Sequence, residues 1–494
     1  MEDIQKKDYR KVLTKIQIVL IIFGVGLFFW GKYSEDFNRQ ILGIVCLGIN
    51  NLIYGIRNMN QRVLFFFFTI MLFTFMYSRP LISMLRGNIW WYFEPQSIDF
   101  SMNSLFLTTT FLFIGAVIAQ HAFKREKQVV SSINNKNVVV LIVTLLLFIV
   151  SWMCSTLIDV EKLLFVRSHT YEDYYVSFTS KVPFFLKGFA TLLPYSICFL
   201  LACKPRKKIA FPVLVLYVIG AIPTLLMGQR NGFVLRLLFA LVYFIIRNGS
   251  DIRDKWLGKI EKSLIFIGTP FLLVLLGAYN YIRAGSNVES KGIISLIVDF
   301  FYKQGTQFDT LSSGYENLDN LPFLDSKFYT FGGFIDSFKH GFIAQKIFGA
   351  PGLGTGNNPV KGMLSNSYAH NLAYVYRRDA YLAGNGNGGS YLLDLNADFG
   401  YLGIVIFSFI LGGLLIYLVK LFNSRGLIMS SFVLCCLLEL FWTPRGGATQ
   451  WLQFLIKPSF WAAVLAVVVG YLVLGRFGLF PKKWITYIES RELL

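Results

Sequence analysis

The feature that most constrains this chain is the recurrence of apolar blocks, each roughly 16 to 25 residues long and separated by short polar punctuation. Wound as a helix at about 1.5 Å per residue, one such block crosses a hydrocarbon layer of about 30 Å. Membrane strands need shorter segments of alternating polarity, so a barrel does not fit. Composition agrees, because 55% hydrophobic and 17% aromatic residues are more than a soluble chain of 494 residues would hide. The expected fold is all-α, a polytopic integral membrane protein with about twelve transmembrane helices. They are placed at 14–31, 41–57, 62–78, 104–122, 138–158, 183–203, 209–227, 232–247, 264–282, 397–421, 427–443 and 454–474. The third and eighth are short for a span. The first runs into WGKYSED with no small-residue cleavage site, as in a retained signal anchor. Residues 1–494 are read as one integral membrane domain.

Basic residues give the orientation. With both termini cytoplasmic, about 26 of the 47 lysines and arginines fall in inner segments such as KKDYRK, KREK, KPRKK and RDKWLGKIEK. About 12 fall in short outer segments and about 9 in one long outer connection, residues 283–396. The net charge of +19 therefore reads as topology and contact with anionic lipid, and nucleic acid is not an expected partner. The long connection is too rich in aromatics for disorder and is expected to form short helices on, or dipping into, the bilayer edge. No repeat of fixed period is visible, which weakens a transporter built from inverted repeats. All six cysteines lie in or beside apolar blocks without zinc-type spacing, and neither HExxH nor a calcium loop occurs. No metal or cofactor is expected.

Arginines gather at the outer ends of several spans: Arg79, Arg230, Arg236, Arg283, Arg377, Arg378 and Arg445. A guanidinium at the hydrocarbon edge is costly unless it pairs or faces a polar cavity, and its planar fork suits phosphate or pyrophosphate. The alternative is interfacial snorkelling. GQRNGFVLR is a turn that needs its glycines, but Gln229, Arg230 and Asn231 are more than a turn requires, and Arg236 shares a helix face with Gln229. In SNSYAHNLAYVYRR, His370, Tyr374 and Arg377 or Arg378 follow helical spacing, so one face would carry a proton acceptor and an anion fork. An amphipathic interfacial helix accounts for the same spacing. The loops APGLGTGNN and AGNGNGGSYLLDLNADFGYLG flank it. Their G-x-G pattern lacks the strand and the cytoplasmic access a nucleotide site needs, and they read as hinges or anion-approach loops. Glu439, Asp394 and Asp398 are scarce acids near span ends and candidate bases. A first-turn position on the helix dipole is the duller account of Asp398.

SYAHNLAYVY followed by NADFGYLGIVIFSFILGG, with the span layout and the long late loop, resembles the Wzy-type polymerases of O-antigen and capsule repeat units. The HN and FGYLG elements are also similar to the O-antigen ligases, and GQRNGF is similar to a motif of the O-antigen polymerase branch. The resemblance covers most of the chain in layout and residues 228–236 and 350–412 in motif. It implies a glycosyltransferase C-like membrane enzyme of the bacterial cytoplasmic membrane, with its active site on the extracytoplasmic face. Such an enzyme moves a growing glycan from undecaprenyl pyrophosphate to the non-reducing end of a lipid-linked repeat unit, among membrane lipids and alongside a flippase and a chain-length regulator. It implies His370 as the base and Arg230, Arg236, Arg283, Arg377, Arg378 and Arg445 as pyrophosphate-binding residues. Gln229, Asn231, Asn371, Tyr374, Asp398 and Glu439 are further site candidates, and Tyr368, Tyr374 and Tyr381 would line sugar or lipid. A ligase acting on another acceptor, and a lipid-linked oligosaccharide flippase, stay open beside the polymerase.

Overall fold

A computed structural model of the protein describes residues 2–89, 92–123, 135–168, 178–251, 254–283, 292–424 and 426–476. The inner basic segment KREK, expected to mark topology, lies outside them. The described residues are helical or irregular, with no strand. Among them, nine helices are long and apolar enough to cross a membrane, and eleven spans result if each of two bent pairs counts as one. The chain is a polytopic membrane protein.

Each expected span coincides with one of these helices, a bent pair or a shorter apolar helix. The block 183–203 is the pair Phe184–Ala190 and Leu193–Ala202, bent by 41°, and 454–474 falls in Gln450–Ile456 and Pro458–Leu474, bent by 57°. Prolines at the starts of Leu193–Ala202 and Pro458–Arg476 fit the bends, because proline suits a first turn and cannot continue a preceding one. The block 427–443 is Leu427–Leu440, too short to span alone. The two spans that read as short are full length, at Met59–Leu85 and Arg230–Ser250. Polar residues at their ends, among them Asn60, Gln61 and Arg79 in the first, hid the helical turns they belong to.

The chain forms two compact units. Residues 1–124, 258–419 and 441–450 make the first, and residues 125–257, 420–440 and 451–494 the second. In the first unit, Pro95–Ala122 and the long helix Tyr391–Ser424 pack backbone to backbone. A Cβ on Gly115 would lie 1.9 Å from the Phe409 carbonyl oxygen, and one on Gly412 would lie 2.0 Å from that of Leu112. Small residues let membrane helices approach this closely where lipid offers no hydrophobic drive for association. Hydroxyls join the same pair: Thr108 Oγ1 lies 2.6 Å from Tyr391 Oη and 2.7 Å from Ser408 Oγ. The span Met59–Leu85 contains a π-helical turn, Phe73–Tyr77, immediately before Ser78 and Arg79. Such a turn widens the helix locally and re-aims the side chains on its C-terminal side. Here Ser78 Oγ donates to the Phe301 carbonyl at 2.9 Å.

The second unit packs Asn135–Ser168 against Leu193–Ala202, Ile222–Leu226 and Pro458–Arg476. Trp152 Nε1 donates to the Leu216 carbonyl at 2.7 Å, and Tyr243 Oη to that of Leu201 at 3.1 Å. Both bonds satisfy indole and phenol groups inside apolar packing.

Replacing Gly412 by Ala is expected to force the Pro95–Ala122 and Tyr391–Ser424 helices apart, at about 3 kcal/mol, the upper end of overpacking costs. Gly26→Ala, where an added methyl meets nothing within 4 Å, is the control. Thermal unfolding in detergent, followed by size-exclusion profile, separates the two. Equal stability of both variants would contradict the close crossing.

Candidate active site

In the first unit the long connection folds as a run of short helices: Ile293–Gln304, Gln307–Glu316, Gly332–His340, Phe342–Phe348, Pro359–Leu364, Tyr368–Tyr376 and Arg378–Leu382. Carboxylates tie this run together through backbone amides. Asp398 accepts from the amides of Tyr329 (3.0 Å) and Thr330 (2.6 Å). Asp394, buried, accepts from the Ala448 amide at 3.0 Å. Asp336 accepts from Ser365 Oγ (2.6 Å) and from the amide and side chain of Asn366 (2.7 and 2.9 Å). A carboxylate satisfied by amide donors is held without a cationic partner. Asp398 acts as a clasp two residues before Gly400, where the helix that begins at Tyr391 breaks (φ 62°, ψ −155°), and it is not in that helix's first turn.

Asn371 continues the network. Fully buried, it accepts from Tyr329 Oη at 3.0 Å and donates to the Gly362 carbonyl at 2.8 Å. Tyr368 Oη donates to the Gly314 carbonyl at 2.9 Å. Thr449 Oγ1 donates to the Thr330 carbonyl at 2.6 Å, so the TPRGGAT segment is fastened to the same stretch of chain that holds Asn371.

His370 and Tyr374 share the helix Tyr368–Tyr376, but the helix stops there. Arg377 leaves it with φ −144° and ψ 58°, and Arg378 opens a separate turn. The continuous face that spacing suggested is thus interrupted before the arginines. Arg377 and Arg378 are exposed, and Arg378 lies over the Tyr374 ring at 5.1 Å. What reaches back to His370 instead is Tyr381, whose Oη is 3.0 Å from Nδ1. Burial, helped by the charge of Lys361 and opposed by Asp336, pushes the His370 pKa down to about 4. The imidazole is neutral at pH 7. It can take a proton at Nε2 when Nδ1 carries the hydrogen and donates to Tyr381.

Three arginines lie where Ser78–Leu85, Ile293–Gln304 and Thr443–Arg445 occur in this unit. Arg79 pairs with Asp309 at 2.9 Å and lies over the Tyr302 ring at 4.6 Å, and Arg86 pairs with Asp299 at 2.6 Å. Burial raises the Asp309 pKa to about 6, and the Arg79 charge opposes that rise. Arg445 differs. Its hydrogen bond from Nη1 to Gln304 Oε1 is long at 3.4 Å, and its other neighbours are the Phe75 and Trp442 rings at 5.8 and 5.4 Å. Among the described residues no carboxylate neutralises it. Burial pushes its pKa down, yet a guanidinium keeps its charge. A part-buried fork of N–H donors without a carboxylate partner has the chemistry that suits an anion.

The family model of the O-antigen polysaccharide polymerase Wzy matches residues 16–476. The chain belongs to this family. Comparison with curated proteins and with solved structures finds no match.

The remaining candidates of this Wzy family member lie in the second unit, apart from Arg283. That residue ends the helix Lys259–Arg283, and its side chain falls outside the described residues. Gly228, at φ +102°, makes the turn that lets Arg230–Ser250 start, with Gln229 and Arg230 part-exposed and Asn231 exposed. Arg236 Nη1 donates to the Tyr217 carbonyl at 3.2 Å, and its guanidinium lies 4.9 Å over that ring. Glu439, part-buried in Leu427–Leu440, is close enough for its charge to act on Tyr195 and Tyr217. No group of three or more His, Cys, Asp or Glu suited to a metal occurs among the described residues. Sequence reading missed Asp336, Asp309, Tyr329 and Gln304, which sit in unremarkable contexts such as GGFIDSF and KQGTQFDT.

Because the folded pKa of His370 lies below its ordinary value of 6.5, its neutral burial stabilises the fold fully above pH 6.5. That contribution is lost as pH falls through about 4. The melting midpoint of the wild type in detergent is therefore expected to fall more steeply between those pH values than that of His370→Gln. Parallel curves would show that His370 is not desolvated.

Proposed function

We propose that the protein polymerises lipid-linked glycan repeat units on the outer face of the bacterial cytoplasmic membrane. The anomeric carbon of a growing glycan on undecaprenyl pyrophosphate is attacked by a hydroxyl at the non-reducing end of a fresh lipid-linked unit. The new glycosidic bond forms as the bond to the pyrophosphate oxygen breaks. The hydroxyl proton goes to a base, and undecaprenyl pyrophosphate leaves with the electron pair. No nucleotide-sugar donor or metal enters this scheme.

The observation that carries the reading within the family is Arg445, a part-buried guanidinium with no carboxylate partner among the described residues. The bond that breaks delivers negative charge to a pyrophosphate oxygen. Preorganised donors in a low-dielectric site are worth most where charge develops in the transition state. Arg230, Arg236, Arg283, Arg377 and Arg378 are the further arginines assigned to pyrophosphate, and His370 is the assigned base, with Tyr381 hydrogen-bonded to its Nδ1 and so orienting the ring. Both termini are assigned to the cytoplasm on the bias of lysine and arginine.

The test is purified protein in vesicles, supplied with a single lipid-linked repeat unit and read by the product ladder. A ladder supports a polymerase, one transfer onto a second acceptor would identify a ligase, and no covalent product would favour a transporter. Arg445→Ala is expected to slow elongation by about 100-fold or more, the cost of removing one donor to developing charge. Arg445→Lys should recover little, because an ammonium cannot reproduce the fork. For His370, the decisive variant is His370→Ala: full-length polymer at the wild-type rate would remove it as the base.

A further inference from the structure

The helices Gly332–His340 and Phe342–Phe348 have two very different faces. On one, Gly332 backs onto the Asn366 carbonyl so closely that an added Cβ would lie 1.8 Å from its oxygen. Asp336 on the same helix grips Ser365 and Asn366, the residues that lead into the His370 helix. Ala344 is buried, and Gln345 Nε2 ties the second helix to the first through the His340 carbonyl at 2.6 Å. On the other face the side chains are large, apolar and unpacked. Phe338 and Phe342 are each 75% exposed, Ile343 68%, Ile347 69% and Phe348 79%. Exposed apolar clusters of this kind mark interaction sites.

Charge identifies the occupant. From Ser337 through Arg378 the sequence contains no aspartate or glutamate, while it carries Lys339, Lys346, Lys361, Arg377 and Arg378. Lys339 and Lys346 are exposed and stand among the apolar side chains. Apolar residues interleaved with lysine on a short amphipathic helix are the composition that sinks into the boundary between headgroups and acyl chains, with the ammonium groups at anionic headgroups. A protein partner would need no such uniform sign over so long a segment.

We infer that the pair Gly332–His340 and Phe342–Phe348 is a membrane-seated collar. Phe338, Phe342, Ile343, Ile347 and Phe348 enter the acyl region of one leaflet, and Lys339 and Lys346 meet anionic lipid headgroups. Through Asp336 and Gly332, the collar fixes the segment that carries His370 at the membrane surface. The inference concerns lipid contact and stands whichever glycan reaction the protein performs.

The test places a spin label on cysteine at Phe342, Ile347 or, as a polar reference, exposed Asn385, in full-length protein whose six native cysteines are replaced by alanine. The protein is reconstituted in vesicles of zwitterionic lipid with and without an anionic phospholipid. The ratio of collision with oxygen to collision with a water-soluble nickel chelate is expected to be several-fold higher at Phe342 and Ile347 than at Asn385. It should rise with anionic lipid, and that rise should be lost in Lys339→Gln with Lys346→Gln. Nickel accessibility equal to that of Asn385 would overturn the inference, as would dipolar broadening between labels, which would show a second copy covering the face. Should the cysteine-free chain not fold, Phe342→Trp in the native chain gives a second reading. Its added emission is expected to be quenched by lipids brominated on the acyl chain, and quenching by aqueous iodide instead would refute the collar.

Discussion

What the first unit depends on is how it uses its few acids. In an apolar chain a carboxylate must be satisfied by something, and here the partners include basic side chains, a hydroxyl and backbone amides. Asp336, Asp394 and Asp398 take amides, of Asn366, of Ala448, and of Tyr329 and Thr330. Those bonds join stretches of chain far apart in sequence, and they add to the buried apolar contacts of Phe308, Leu311, Tyr368 and Leu372 in holding a long connection of short helices together. Their second effect is electrostatic. Acids spent on the backbone do not neutralise arginines, and among the described residues Arg445 has no carboxylate partner while Arg79 and Arg86 are answered by Asp309 and Asp299.

The same use of acids sets what could be read from the sequence. Spans follow from length and apolarity, which are local, and each expected block coincides with a helix, a bent pair or a shorter apolar helix. Where the reading fell short, polar residues at the ends of Met59–Leu85 and Arg230–Ser250 belong to turns that tertiary packing keeps helical. The tertiary network was not legible, because nothing local distinguishes Asp336 in GGFIDSF from a solvated acid on a helix. The break after Tyr376 escaped for a related reason. Spacing of four and seven presumes an unbroken helix, and the fold ends that helix so that Tyr381 returns to His370.

Arg445 and His370 also show why an arginine is the stronger functional signal here. Burial acts on both in the same direction, against the charged form. A histidine answers by giving up its proton, and its pKa settles near 4 at no further cost. A guanidinium cannot, so its desolvation stays in the fold as an unmet demand for negative charge. An imidazole between Tyr381 and the charge of Lys361 has a complete structural explanation without substrate. Arg445, with a 3.4 Å bond to Gln304 and two rings for neighbours, does not, and a pyrophosphate at that position would meet the demand the fold leaves open.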